Sequence, residues 1–138
     1  MKKILKNERG SEVIEFVILF PILVFLIFGA ITFFLATYSK IIIADAAREG
    51  ARAGALAASE GDVDLKARTR AMEVINGAAV GALKTDNTLI VDVDLRDDTD
   101  EQYKLVEVTI TGEHKSLVPA FVGDLTISSS AVFKREKR

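Results

Sequence analysis

The chain has 138 residues, and about a quarter of them form a basic leader and one apolar run, so the remainder suffices for one small domain and not for two independent cores. It contains no cysteine, which excludes disulfides and thiolate metal sites. The formal charge of -2 is divided by region: the leader carries Lys2, Lys3, Lys6 and Arg9 against Glu8, the stretch from Glu60 to Glu101 is acid-rich, and the chain closes on Lys134-Arg135-Glu136-Lys137-Arg138, none of which has the interleaved aromatics of a nucleic-acid surface.

Residues 1–10 are short, polar and basic. From Phe16 to Ala36 no residue is charged and only Thr32 is clearly polar. At a helical rise of about 1.5 Å per residue this run spans about 30 Å, the thickness of a bilayer's hydrocarbon core. A cleaved secretory signal has a shorter apolar region followed closely by small residues. Ala44-Asp45-Ala46 fits the small-x-small pattern but lies well past the end of the run, so the run reads as a retained transmembrane helix at about 16–38. The basic flank orients it with the N-terminus cytoplasmic and the rest of the chain translocated across the cytoplasmic membrane. Pro21 removes one backbone donor and frees the carbonyl of Val17, which predicts a kink and not a break. Tyr38 and Lys40 mark the outer interface, where an amphipathic ring and a long cation sit comfortably.

From Ile41 to Ala58 the chain is alanine-rich and free of proline. Asp45, Arg48, Glu49 and Arg52 fall on one helical stripe, and opposite charges at i,i+3 add about 0.2–0.5 kcal/mol each when exposed. On another face Ala46, Gly50, Gly54 and Ala58 recur every four residues, a smooth groove that admits a second backbone, either this chain's own domain or another subunit. Two glycines each cost a solvated helix about 1 kcal/mol relative to alanine, so close packing must compensate. One helix is therefore expected from Glu12 to Ala58, half in the membrane and half outside.

Glu60-Gly61-Asp62 breaks it, with Asp62 the expected N-cap of a second, amphipathic helix over Val63–Leu83 whose inward residues are Leu65, Met72, Ile75, Ala79 and Leu83. The period then changes to two. Val91, Val93 and Leu95, then Val106, Val108 and Ile110, then Leu125, Ile127, Ala131 and Phe133 alternate with polar residues, giving three strands with one apolar face each. Asp97 to Glu101 is a solvated hairpin connection; its spacing does not match a calcium loop. Ser116 to Asp124, with Pro119 and Gly123, joins the last two strands. His114, the one histidine, has no base or nucleophile partner in the sequence and is expected to be an exposed or half-exposed strand-end residue. The basic end reads as solvated or as a contact for other proteins. The fold class is α+β, a long helix and a second helix covering a three-stranded antiparallel sheet, organised as a leader at 1–10, a long helix at 11–59 and a small extracytoplasmic domain at 60–138.

The leader ends in Gly10. Glu15 follows at the fifth residue after it, then Phe16 and the apolar helix. This order resembles a type IV pilin-type precursor. The run Ala46-Ala47-Arg48-Glu49-Gly50-Ala51-Arg52, just past the membrane span, resembles the TadE-like minor pilins (pseudopilins) of the tight-adherence, or Flp, pilus system, and the likeness is strongest over residues 9–56. The TadF-like relatives share much of the same pattern. The resemblance implies a membrane-embedded prepilin peptidase that cuts between Gly10 and Ser11, and a pairing of Glu15, beside Phe16, with the new N-terminus of this or an adjacent subunit. It implies partners among the other Tad/Flp pilins and pseudopilins, a membrane assembly platform and the lipid bilayer. It implies no cofactor and no catalysis by this chain, whose role would be pilus assembly and so adhesion.

Physical chemistry makes those residue types sensible. A glycine before the scissile bond enters a tight active site without a side-chain clash. The ammonium created at Ser11 costs about 2.5–3.5 kcal/mol at a bilayer centre even on a lenient scale, and a carboxylate one helical turn away compensates it. Taken alone, Glu12 and Glu15 are also what the dipole of a helix N-terminus favours. The competing reading is an uncleaved, membrane-anchored accessory or binding protein. An enzyme is disfavoured, because the sequence holds no Ser/His/Asp or Cys/His constellation, metal cluster or phosphate loop.

Overall fold

A computed structural model describes residues 8–78, 89–100, 102–116 and 123–137. Helix α1 (Glu8–Ala55) is 48 residues long, about 70 Å at the standard rise. It is followed by α2 (Val63–Gly77) and the strands β1 (Ile90–Asp97), β2 (Tyr103–His114) and β3 (Leu125–Glu136). The arrangement is α+β, as the change of period from 3.6 to 2 predicts.

Two solvents act on α1. Residues from Val13 to Leu23 are exposed all round, whereas Ser39, Ile43, Ala46, Ala47, Gly50, Ala51 and Gly54 form a buried stripe at three- and four-residue spacing. Pro21 lies within the continuous helix. The hydroxyls that enter the apolar part do not compete with the helix for partners: Thr32 donates to the Phe28 carbonyl at 2.9 Å and Ser39 to that of Leu35 at 3.0 Å. By length and composition α1 can cross a membrane.

The helix ends at Ala55, three residues short of Ala58, because the backbone tightens there: Ala57 N–H bonds to the Gly54 carbonyl at 3.0 Å. Ala58 is exposed. Asp62 does not cap α2 through its side chain; its carboxylate accepts from the Ser59 hydroxyl at 2.8 Å instead. Helix α2 stops at Gly77, so the expected continuation through Ala79 and Leu83 lies outside the described residues, as does Pro119.

The inward face of α2 agrees with the expected one at Ile75, which is buried, and at Met72, which packs half-buried against the core, and differs at Leu65. Leu65 is 67% exposed, and the buried stripe is Val63, Ala67, Ala71 and Ile75. The glycines of α1 explain this. A Cβ at Gly50 would meet the Ala67 carbonyl oxygen at 3.0 Å and the Ala71 Cβ at 3.1 Å; one at Gly54 would meet Val106, Ala67 and Val63 within 3.3 Å. Two helices this close leave room for alanine at the contact and not for leucine.

The sheet order is β1-β2-β3, all antiparallel. Its register aligns the three apolar parities: Val91, Ile110 and Ser129 lie abreast, then Val93, Val108 and Ala131, then Leu95, Val106 and Phe133. Central β2 supplies Val106, Val108 and Ile110, all fully buried beneath the two helices. Contacts pair Ser39 with His114 where the buried stripe of α1 begins and Gly54 with Val106 near the helix's C-terminal end, so β2 runs against the C-terminal part of α1, from about Ser39 to Gly54. The domain therefore has an end beside the apolar half of α1, at His114, and a distal end at the α1–α2 turn and the β1–β2 turn.

Candidate functional site

Three places on this scaffold hold the chemistry-bearing residues. The first is the start of α1. The backbone at Gly10 and Ser11 lies within its first turns, and side chains are described from Val13 onward. Glu15 and Phe16 are exposed on the helix surface, and the Phe16 and Phe20 rings lie 5.7 Å apart. Among the described residues Glu15 makes no ion pair or hydrogen bond.

The second is the run from Ala46 to Arg52, which sits where α1 becomes a scaffold. Ala46, Ala47, Gly50 and Ala51 are buried against α2 and the sheet. Gly50 and Gly54 thus contact this chain's own domain. The charged members face outward: Arg48 pairs with Asp45 at 3.2 Å, and Glu49 lies 3.9 Å from Arg52. Glu49 also reaches Arg70 on α2 at 3.6 Å. Such half-exposed pairs contribute little stability.

The third was not expected. His114 is fully buried, where an exposed strand end was anticipated. Its Nδ1 lies 3.1 Å from the Ser39 Oγ, and its Nε2 is buried with no hydrogen-bond partner among the described residues. Ser39 has one hydroxyl proton; when it is given to the Leu35 carbonyl, Nδ1 is the donor to Ser39 and Nε2 carries the lone pair. Burial pushes the imidazole below its usual pKa, against an opposing pull from the Asp124 carboxylate. Glu113 precedes it on β2, Lys115 follows just past the strand's end, and Lys40 follows Ser39 on α1. The signal for this burial was its register: position 114 shares the parity of Val106, Val108 and Ile110.

A pH dependence follows. The unfolded chain binds a proton on His114 below about pH 6.5, and the folded chain resists it. The contribution is present in full above that pH and is lost as pH falls through it. The His114→Gln variant is expected to flatten the stability profile between about pH 5 and 6.5, read by hydrogen exchange of the β2 amides. An unchanged profile in that variant would assign the slope to other groups.

The basic end is exposed at Lys134, Glu136 and Lys137, as a solvated end would be, but it is not a free tail, and Arg135 is buried. Strand β3 continues to Glu136, Lys134 pairs with Asp98 at 2.7 Å and Lys137 with Asp97 at 3.3 Å. The hydrogen bond from Lys134 holds the Asp98 carboxyl below the usual range. Thus two members of the acidic turn serve as partners for β3; Glu101 lies outside the described residues.

Comparison with known proteins adds one match. Residues 10–52 match the family described as TadE-like protein. The match begins within the first turns of α1 and ends at Arg52, so it includes the apolar run and the alanine–arginine–glycine motif and neither α2 nor the sheet. Searches of curated proteins and of solved structures return nothing similar. A TadE-like segment on one long apolar helix fits a membrane-anchored protein associated with the Tad pilus system, and the family suggests association with other components of that system.

Proposed function

We propose that this chain, TadE-like over residues 10–52, is a minor pilin-like structural subunit of a tight-adherence pilus, made as a membrane-anchored precursor. A prepilin peptidase cuts it between Gly10 and Ser11. The N-terminus stays cytoplasmic and the domain lies outside until the processed subunit joins other pilins at a membrane assembly platform. Its contribution to adhesion is structural and not catalytic.

The observation that carries this reading is the coincidence, on one helix, of the matched segment with an abrupt change of surroundings. From Val13 to Phe34 the large side chains of α1 are exposed apart from half-buried Val24; from Ser39 the helix is built into the domain. A helix apolar on all sides suits lipid, and later the flanks of neighbouring helices equally well. Gly10 and Glu15 stand at the near end of that exposed segment.

Intact-mass measurement tests the cleavage. In a host with its prepilin peptidase, the purified chain is expected to lack residues 1–10, and Gly10→Ala to retain them. A full-length mass in the peptidase-bearing host would favour the uncleaved accessory protein instead.

A further inference from the structure

Among the described residues Arg135 is a buried cation with no ion pair of its own, although, behind the hydrogen bond from Lys104, its charge reaches the Glu60 carboxylate and helps hold that group's pKa down. The residue is 7% exposed, and among the described residues its only partner is the Ala57 carbonyl, which accepts from Nη2 at 3.3 Å. The nearest obvious carboxylate is committed elsewhere: Glu60 is held by Lys104 at 2.8 Å. On β3 the odd positions face inward with Ile127 and Ala131, so Arg135 points into the fold while Lys134 and Glu136 point out. A guanidinium has five donors, and a charge carried to this depth is normally paired. Its position just beyond the C-terminus of α1 accounts for part of its placement, since that end of a helix is partially negative. One long hydrogen bond leaves most of its capacity unused.

The group lines a cleft of about 410 Å³ at the distal end of the domain. Arg52 and Lys134 stand in the same lining, together with Leu56, Phe133 and the single carboxylate of Glu136. Lys134 is engaged by Asp98 at 2.7 Å, and Arg52 is paired more loosely, with Glu49 at 3.9 Å. Leu56 is 75% exposed and Phe133 38% exposed, so the cleft has apolar walls as well as cationic ones. An anion alone does not explain those walls; a carboxylate on an apolar stem does. A sugar acid would set its hydroxyls against them.

We propose that this cleft docks an extended peptide segment of another protein, with an Asp or Glu side chain entering toward Arg135 and Arg52 and apolar neighbours resting on Leu56 and Phe133. The inference rests on the cleft alone and is independent of the pilin reading. Planar guanidinium groups suit carboxylates, and hydrogen bonds to charged groups are the stronger class.

The test uses the full chain in phosphatidylcholine nanodiscs and a fluorescent heptapeptide, Gly-Ser-Leu-Asp-Phe-Ser-Gly, read by anisotropy against its Asn counterpart. The Asp peptide is expected to bind at least about tenfold tighter. In Arg135→Gln, which keeps a donor for the Ala57 carbonyl, that preference should fall to within about twofold while the thermal midpoint stays near wild type. Arg52→Gln, on the exposed rim, should weaken the Asp peptide and leave the Asn peptide unchanged; this arm stands even if Arg135→Gln unfolds the domain. Equal binding of the two peptides, absence of binding, or equal loss for both in Arg52→Gln overturns the proposal. So does tighter binding of tetragalacturonate at the same cleft, which would make it a site for anionic sugars.

Discussion

Replacing Gly50 with leucine is expected to unfold the contact between α1 and α2, lowering domain stability by about 3 kcal/mol, the upper end of the usual overpacking range. A Cβ there stands 3.0 Å from the Ala67 carbonyl oxygen and 3.1 Å from the Ala71 Cβ. The first of these is backbone within α2 and cannot rotate aside, so the helices must separate. Separation strips cover from Val108, directly beneath Gly50, and from the rest of the central strand. The opposing effect is the better helix propensity of leucine, which recovers about 1 kcal/mol and does not reverse the sign. Gly29→Leu provides the control, because nothing lies within 4 Å of a Cβ at that position. Hydrogen exchange of the full chain in nanodiscs reads the difference. Protection of the α2 and β2 amides should fall by about two orders of magnitude in Gly50→Leu, since 1.4 kcal/mol is a factor of ten, and remain unchanged in Gly29→Leu. Wild-type protection in Gly50→Leu would show that the two helices are not in contact through this stripe.

That prediction also shows where the sequence was legible. Strand parity was, because alternation is a two-fold pattern that a single pleated surface reads directly. All three inferred apolar faces meet in one register, Val93 abreast of Val108 and Ala131. Glycines at four-residue spacing announced a close approach, and the approach is to this chain's own α2 and β2. The inward face of α2 was read correctly at Met72 and Ile75 and misjudged in its first turns, where Leu65 was ranked above the smaller Ala67. A partner surface made of glycine inverts that ranking: Ala67 and Ala71 go in, and Leu65 stays out.

His114 and Arg135 were missed for a shared reason. Each sits at an inward parity near a strand end, and in each case polarity was allowed to outweigh register. Strand geometry has no exemption for polar side chains; it turns them inward and leaves the fold to find partners. Ser39 supplies one for His114, and the Ala57 carbonyl supplies one for Arg135. The family match adds nothing on either, because it ends at Arg52.

Glu15→Gln is expected to leave the precursor stable and processed in the membrane and to abolish pilus assembly, if the pilin reading is right. Glutamine has nearly the same size, so helix packing is preserved and only the charge is removed. Glu15 lies on an exposed face of α1 and has no ion-pair partner among the described residues. Cleavage after Gly10 changes this: an ammonium appears at Ser11, four residues and one helical turn from Glu15. At the membrane surface both charges are hydrated and the pairing matters little. Among packed apolar helices neither is hydrated, and removing one partner of a buried pair costs about 3–5 kcal/mol. That penalty falls on the assembled state alone, so the variant should be cut normally yet fail to polymerise. Intact mass and sheared-pilus yield from the same strain separate the two steps. Normal mass with pili absent is the expected outcome. Normal mass with normal pili would retain the cleavage and discard the pairing, leaving Glu15 as a first-turn acid favoured by the helix dipole.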